Sequence, residues 1–238
     1  MKNVRLYQNI PLLVGEELTL DAFSAHHLAK VLRFPTGQNI TLFNGDGMNY
    51  SAKVLQSKKE CTLQILEKIP NSSESKLHLS LAQGVAKGEK MDFLIQKAVE
   101  LGVNKIIPIL TEYCVVKLKG EKLTKRQFHW QKIVISACEQ SARSVVPEVV
   151  TPINLTDFLQ QPIVNGFVLH HRSKQTLLKT DAVTQATILI GPEGGLSKAE
   201  ITQATQAGYQ SLLLGTRILR TETASLAAIA NMQLLWGS

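Results

Sequence analysis

The sequence carries only three cysteines, Cys61, Cys114 and Cys138, and no C-x-x-C pair. An odd, widely spaced set builds neither a disulfide framework nor a four-ligand zinc site, and points to reduced thiols in a cytoplasmic protein. No apolar run approaches the roughly 18 residues that cross a bilayer. The N-terminus, MKNVRLYQNIPLLVGEEL, meets charge and proline too early for a signal peptide. A soluble protein with no membrane partner is expected. The common nucleotide motifs are also missing. There is no G-x-G-x-x-G, no G-x-x-x-x-G-K-[ST] and no G-x-S-x-G, which disfavours a Rossmann dehydrogenase, a P-loop kinase and an elbow-type hydrolase. His170 and His171 lack the H-E-x-x-H spacing, and neighbours on a strand point to opposite faces, so no metal site is expected.

What is present is ordinary globular material: 238 residues, 44% hydrophobic and 19% charged, enough for one large domain or two modest ones. The 26 Lys plus Arg exceed the 19 Asp plus Glu by seven. The excess is concentrated in residues 76–150, with 12 basic against 7 acidic groups, while 1–75 carry 8 and 7 and 151–238 carry 6 and 5. A basic field favours a polyanionic partner through counterion release, nucleic acid first among them.

The chain divides into two textures. Over the first 70 residues the pattern is short strands, with a hairpin in NITLFNGDGMNYSAKVLQ, where Asn44-Gly45-Asp46-Gly47 turns the chain into Tyr50, Ala52 and Val54 at period two. DAFSAHHLAKVLRF fits a short helix instead. The polar stretch Pro70 to Ser75 reads as a linker. Beyond it, strands alternate with helices. In EKMDFLIQKAVELG, Met91, Leu94, Ile95, Ala98 and Leu101 follow a helical stripe and Gly102 supplies the stop. LHLSLAQGVA, VNKIIPIL, GFVLH, ATILIG and SLLLG read as strands. Helices are expected over 124–141 and 224–236, and Ser197-Lys198-Ala199-Glu200 is a capping box. The expectation is a β-rich N-terminal domain over 1–72 and an α/β domain with a mostly parallel sheet over 73–238.

Two glycine-bearing loops follow buried strands, Ile190 to Gly195 and Leu214 to Ala224. Ligands of open α/β sheets bind outside the carboxyl ends of strands, where such loops gather. GPEGG can equally be a plain strand-to-helix turn. Arg217, Arg220 and Glu222 crowd the second loop, as an internal ion pair or as a ligand clamp. The end of the helix at Cys138-Glu139-Gln140-Ser141-Ala142-Arg143 can be a solvated terminus with Arg143 complementing the dipole. Cys138 lacks a base and is not expected to act as a nucleophile. His27, Lys30 and Arg33 recur every three residues, on a solvated helical face or on one that meets RNA phosphates.

Taken in order, KGEKMDFLIQKAVELGV, CVVKL, WQKIVISACEQSAR, LIGPEGGLSKAEI and LGTRILRTETASLAA resemble the RsmE family, SPOUT-superfamily methyltransferases that modify a uridine of 16S ribosomal RNA at N3. RLY…HHLAKVLR resembles the PUA-like RNA-binding barrel of that family. The resemblance implies S-adenosylmethionine as cofactor, a C-terminal trefoil knot, a homodimer, and 16S ribosomal RNA or the small subunit as partner. It lays the cofactor loops on Leu169, His170, Ile190, Gly191, Glu193, Gly194, Gly195, Leu214, Gly215, Ile218, Leu219, Arg220 and Thr221. Arg220 with Glu222 is the first catalytic pair and Glu139 with Arg143 the second. RNA contacts fall on Arg5, His27, Lys30, Arg33, Lys87 and Lys90. Three positions depart from the family pattern: His171-Arg172 stands for Pro-Glu, Thr216 for Pro, and Ala142 for Gly. A SPOUT methyltransferase acting on another RNA position, or a non-catalytic ribosome-associated RNA-binding protein, remains an alternative.

Overall fold

The computed structural model describes residues 4–57 and 60–237 and divides the chain into two compact units, 1–74 with 138–146, and 75–137 with 147–238. Alternating apolar residues build the first unit. Five strands, β1 (Arg5–Tyr7), β2 (Glu17–Thr19), β3 (Asn39–Phe43), β4 (Met48–Ser57) and β5 (Cys61–Pro70), form one sheet in the order β1-β3-β4-β5-β2. The β1–β3 pair is parallel and the rest antiparallel. Tyr50, Ala52 and Val54 on β4, and Cys61, Leu63 and Ile65 on β5, are all buried, as period-two alternation requires. The turn between β3 and β4 is fixed by Asp46, which accepts from the Met48 amide at 2.9 Å and the Tyr50 hydroxyl at 2.7 Å. The expected helix after β2 is α1 (Ala22–His26), and it continues as a π-helical turn over His27–Val31.

The nine residues 138–146 belong to this unit because their polar groups are tied into it. Arg143, 3% exposed, makes a two-pronged pair with Glu74, with Nε to Oε1 at 2.9 Å and Nη2 to Oε2 at 2.6 Å. The Asn71 amide donates to the Ala142 carbonyl and to Ser144 Oγ, each at 2.8 Å. Pro70 to Ser75, read from the sequence as a linker, is thus tied to residues 142–144 through Asn71 and Glu74. Nor is Arg143 on a solvated helix end: a buried guanidinium needs a partner of opposite charge, and Glu74 provides it.

The second unit carries seven strands: β6 (His78–Gly84), β7 (Lys105–Leu110), β8 (Glu148–Val149), β9 (Ile153–Asn154), β10 (Gly166–Leu169), β11 (Gln185–Ile190) and β12 (Gln210–Leu212). All pairings are parallel, in the order β12-β10-β11-β6-β7-β8, with β9 also on β7. The central strands are buried almost throughout, the mark of a parallel sheet covered on both faces. Helices α2 (Glu89–Glu100), α3 (Glu121–Ser141), α4 (Leu155–Leu159), α5 (Lys198–Gln206) and α6 (Thr221–Trp236) connect or follow the strands. The capping box of α5 forms as expected, Ser197 with Glu200. Helices α3 and α6 each begin three residues before their expected starts at 124 and 224. Leu94, Ile95 and Ala98 of α2 are fully buried. Among the described residues no helix is long and apolar enough to cross a membrane.

Just past α3, Ala142 adopts φ +64°, a left-handed conformation in which its Cβ is strained, and its side chain is exposed. Ala142→Gly should therefore raise stability by about 1 kcal/mol, seen as a higher urea midpoint with unchanged slope. A lower midpoint would mean that the methyl group contributes packing that outweighs the strain.

Candidate active site

The carboxyl ends of β10, β11 and β12 lie side by side, and the loops that leave them enclose a cavity of about 300 Å³. Its wall runs through Leu169, His170 and His171, then Ile190 to Leu196, then Leu212 to Gly215 with Arg217, Ile218, Leu219, Thr221 and Ala224. That size is at the lower end of small-molecule sites, which run to about 300–1,000 Å³.

A buried polar knot holds two of these loops against the end of β6. Gln83, fully buried, donates from Nε2 to the Gly84 carbonyl at 3.0 Å, the Gly191 carbonyl at 3.3 Å and Thr221 Oγ1 at 3.0 Å. Its Oε1 accepts from Ser225 at 2.6 Å, and Thr221 donates to the Gly191 carbonyl at 2.6 Å. The loop after β11 and the start of α6 are thus fastened to one side chain. The fit is tight enough to exclude side chains at two positions. A Cβ on Gly84 would fall 2.5 Å from Pro192, and one on Gly191 2.5 Å from the Gly195 backbone. GPEGG is therefore more than a plain turn: its first glycine, Gly191, admits main chain where no Cβ fits.

The facing loop supplies open polar groups. Among the described residues, no backbone N–H from Leu214 to Leu219 donates to another protein group. Ile218 is 86% exposed and Leu214 half-buried beside them. Backbone donors alternating with aliphatic side chains form a surface that suits a flat, partly polar heterocycle. His170 and His171 leave the end of β10 in a turn, not on the strand, with ring centroids 5.3 Å apart. Burial, and then the charges of His171 and Arg172, lower the His170 pKa, so it is neutral near pH 7. Among the described residues no group of three or more His, Cys, Asp or Glu could hold a metal ion.

Of the expected cofactor residues, Leu169, His170, Ile190, Gly191, Glu193, Gly194, Gly195, Leu214, Gly215, Ile218, Leu219 and Thr221 all line the cavity, and Arg220 does not. Arg220 is instead the exposed N-cap residue of α6. No ion pair joins Glu222 to Arg217 or Arg220 among the described residues. Glu222 Oε2 is enclosed and, among the described residues, has no hydrogen-bond partner. Glu193 accepts from the Lys87 amide at 3.0 Å and lies 3.6 Å from Lys90. Sequence patterning did not single out Gln83 or Ser225. The signal was a polar residue amid apolar ones, Gln83 in SLAQGVA and Ser225 in TASLAAI.

In the first unit, Glu139 accepts from the Tyr7 amide at 3.0 Å, and burial raises its carboxyl pKa against that bond and the nearby His27 and Arg5 charges. Burial pushes the Cys138 thiol up to about 12, leaving it protonated and inert. Arg5 is 9% exposed. Its guanidinium donates to Asn49, the Arg143 carbonyl and Ser144 and stacks on Phe43 at 5.0 Å, so it serves the interior of the unit and does not face solvent. Lys30 and Arg33 are exposed, His27 half-buried. Arg33 holds φ +49° just after the π-helical turn, a strained backbone of the kind found at contact sites.

Known proteins give these loops their context. Residues 73–233 match the family described as RNA methyltransferase domain, and 21–66 the one described as RNA methyltransferase PUA domain. The ribosomal RNA small subunit methyltransferase E of Buchnera aphidicola is 35% identical, over 98% of this chain and 96% of its own. That of Bacillus subtilis is 32% identical, over 92% and 87%. A crystal structure of the Neisseria gonorrhoeae protein of the same name, bound to S-adenosylmethionine, superposes with a TM-score of 0.93 at 40% identity, covering 99% of this chain and 98% of that one. With identity of this order along nearly the whole of both chains, this chain belongs to the ribosomal RNA small subunit methyltransferase E family.

Proposed function

We propose that this chain transfers a methyl group from S-adenosylmethionine to N3 of a uridine in 16S ribosomal RNA. The cavity at the ends of β10, β11 and β12 carries the reading. Leu214, Ile218 and Leu219 wall the adenine, and the backbone at Gly191, Gly194, Gly195 and Gly215 meets the rest of the adenosine. When bound, the cofactor supplies an electrophilic methyl group on a sulfonium. Residues 1–72 act as the RNA-binding PUA-like domain and 73–238 as the SPOUT domain. A trefoil knot in the latter fits the return of α6 to Gln83 of β6 after the chain has left β12. Two copies pair as a homodimer, a reading supported by Leu234 and Leu235 of α6, 77% and 40% exposed. Ribosomal RNA substrate and three unpaired cysteines fit a cytoplasmic protein.

Uridine N3 carries a proton near neutral pH, so a base must remove it as the nitrogen attacks. Glu222 takes that role and Arg220 holds the charge that develops on a uracil oxygen. The unpartnered Glu222 Oε2 and the unpaired, exposed Arg220 favour this pair. Glu139 and Arg143 form the second pair; Arg143 is already committed to Glu74. His27, Lys30, Arg33, Lys87 and Lys90 meet RNA phosphates.

The test is methyl transfer from labelled S-adenosylmethionine to small subunits that lack the modification, read by nucleoside mass spectrometry. N3-methyluridine is expected; transfer to another position would redirect the substrate, and no cofactor binding would leave a passive RNA-binding protein. In the same assay Glu222→Gln should slow turnover by about 100-fold or more with cofactor affinity intact. Wild-type turnover would move the base to Glu139.

Gln83→Leu removes the Nε2 donor from the Gly84 and Gly191 carbonyls and from Thr221 Oγ1, and leaves the Ser225 hydroxyl only the Thr221 carbonyl. It should cost about 1–3 kcal/mol in chemical denaturation and weaken cofactor binding by calorimetry. Unchanged cofactor affinity would separate the polar knot from the site.

Replacing Lys30 and Arg33 together with Gln should reduce the slope of log affinity against log salt by about 1–2. An identical slope removes that face from the RNA.

A further inference from the structure

We infer that the outward face of α3 is a second RNA-contact surface, gripping phosphates of the substrate RNA with Lys122, Lys125 and Arg126 and stacking an unpaired base on Phe128. This rests on the reading of the chain as an RNA methyltransferase and adds a surface to it outside the cavity.

The charge distribution points there first. Residues 117–132 hold six cations, Lys117, Lys119, Lys122, Lys125, Arg126 and Lys132, against the single acid Glu121, so they carry five of the chain's seven surplus positive charges. Helical geometry then gathers them: Lys122, Lys125, Arg126 and His129 stand at i, i+3, i+4 and i+7, one face of α3, and all are exposed. A merely solvated helix face usually mixes both signs so that neighbours pair. Here, among the described residues, Lys122 and Arg126 have no carboxylate within 4 Å, and Lys125 meets Glu121 at 3.2 Å with both side chains at least three-quarters exposed, a pair worth little in water. Asp92 is the other acid nearby, 2.9 Å from His129.

The second observation is apolar. Phe128 is 64% exposed in the midst of these cations, with Lys132 Nζ 4.6 Å from its ring centroid. A large aromatic ring left in water beside unpaired cations is poor for solubility and good for one class of partner. Cations take phosphates through counterion release, and an exposed ring takes a base. The opposite side of the helix is anchored by Trp130, Val134 and Ala137, at most 2% exposed, so the outward face can be altered without disturbing the core.

The test uses the full chain with Lys122→Gln, Lys125→Gln and Arg126→Gln combined, and separately Phe128→Ala. Binding to a 16S ribosomal RNA fragment is measured across a salt series, beside methyl transfer, cofactor affinity and sedimentation. The triple variant should bind RNA on the order of tenfold to a hundredfold more weakly near 0.15 M salt, with a log–log salt slope smaller by about 2. Cofactor affinity and turnover at saturating RNA should hold. Phe128→Ala should weaken binding by about fivefold to a hundredfold with little change of slope. Unchanged RNA affinity and slope in the triple variant overturn the proposal. So does loss of self-association at an unchanged slope, which would give this face to a second copy of the chain. Because the slope is read by binding, it decides the question even if the unsubstituted protein transfers no methyl group, a result that would sink only the enzymatic reading.

Discussion

The second unit depends on one buried amide. Gln83 ends the central strand β6 with no exposure to solvent and uses both ends of its side chain, donating to Gly84, Gly191 and Thr221 and accepting from Ser225. A buried amide left half-satisfied costs more than the same volume of hydrocarbon, so such a network is complete or it is a liability. Here it is complete, and it fixes where the loop after β11 and the helix α6 begin. That anchor fixes where the cavity walls begin, and buried wall residues such as Ile190 and Leu212 pack them into the core. This explains how a loop like Leu214 to Leu219, with open backbone donors and an 86% exposed Ile218, can keep a defined start and end.

The first unit solves a different problem with a similar device. Its sheet buries an aliphatic core, yet Arg5, Asn49, Asn71, Glu74, Arg143 and Ser144 form a polar cluster that ties residues 138–146 into it. The two cations there are internal. Counting charges along the sequence would credit both to a nucleic-acid surface, and the structure withdraws them. Exposed cations that could meet RNA include Lys30 and Arg33 in this unit, and in the other Lys87, Lys90 and the cationic window on α3.

How much of this was legible beforehand follows from the length over which a pattern repeats. Tyr50, Ala52 and Val54 gave away β4, the stripe from Met91 to Ala98 gave away α2, and Ser197 with Glu200 gave away the start of α5, because each signal is local and repeats or closes within one element. Strands of two or three residues, such as β8 and β9, have no period to detect. The five-residue α4 shows less than two turns. Long-range polar pairs are illegible for another reason: nothing near Arg143 in sequence announces Glu74, 69 residues away. The cavity lining was largely anticipated, through the loop motifs and their resemblance. The support beneath it, Gln83 and Ser225, was not, since a single polar residue in an apolar run is a weak signal until its partners are seen.

The departures from the family pattern sort themselves by the same physics. A site built from main-chain groups and aliphatic side chains tolerates change wherever the side chain faces out, and is intolerant where a Cβ would meet backbone. His171, Arg172 and Thr216 are exposed; Arg172 and Thr216 stand outside the cavity lining and His171 meets its rim, so replacing Pro-Glu and Pro there alters loop stiffness more than it alters the enclosure. Gly84 and Gly191 leave no room for a methyl group, and both are present. Ala142 is the intermediate case: its side chain is exposed but its backbone is left-handed, so the chain retains the geometry at a cost in strain. It can do so because Asn71 holds the Ala142 carbonyl and the Arg143–Glu74 pair holds the next residue. The surrounding contacts over-determine a conformation that alanine alone would not choose.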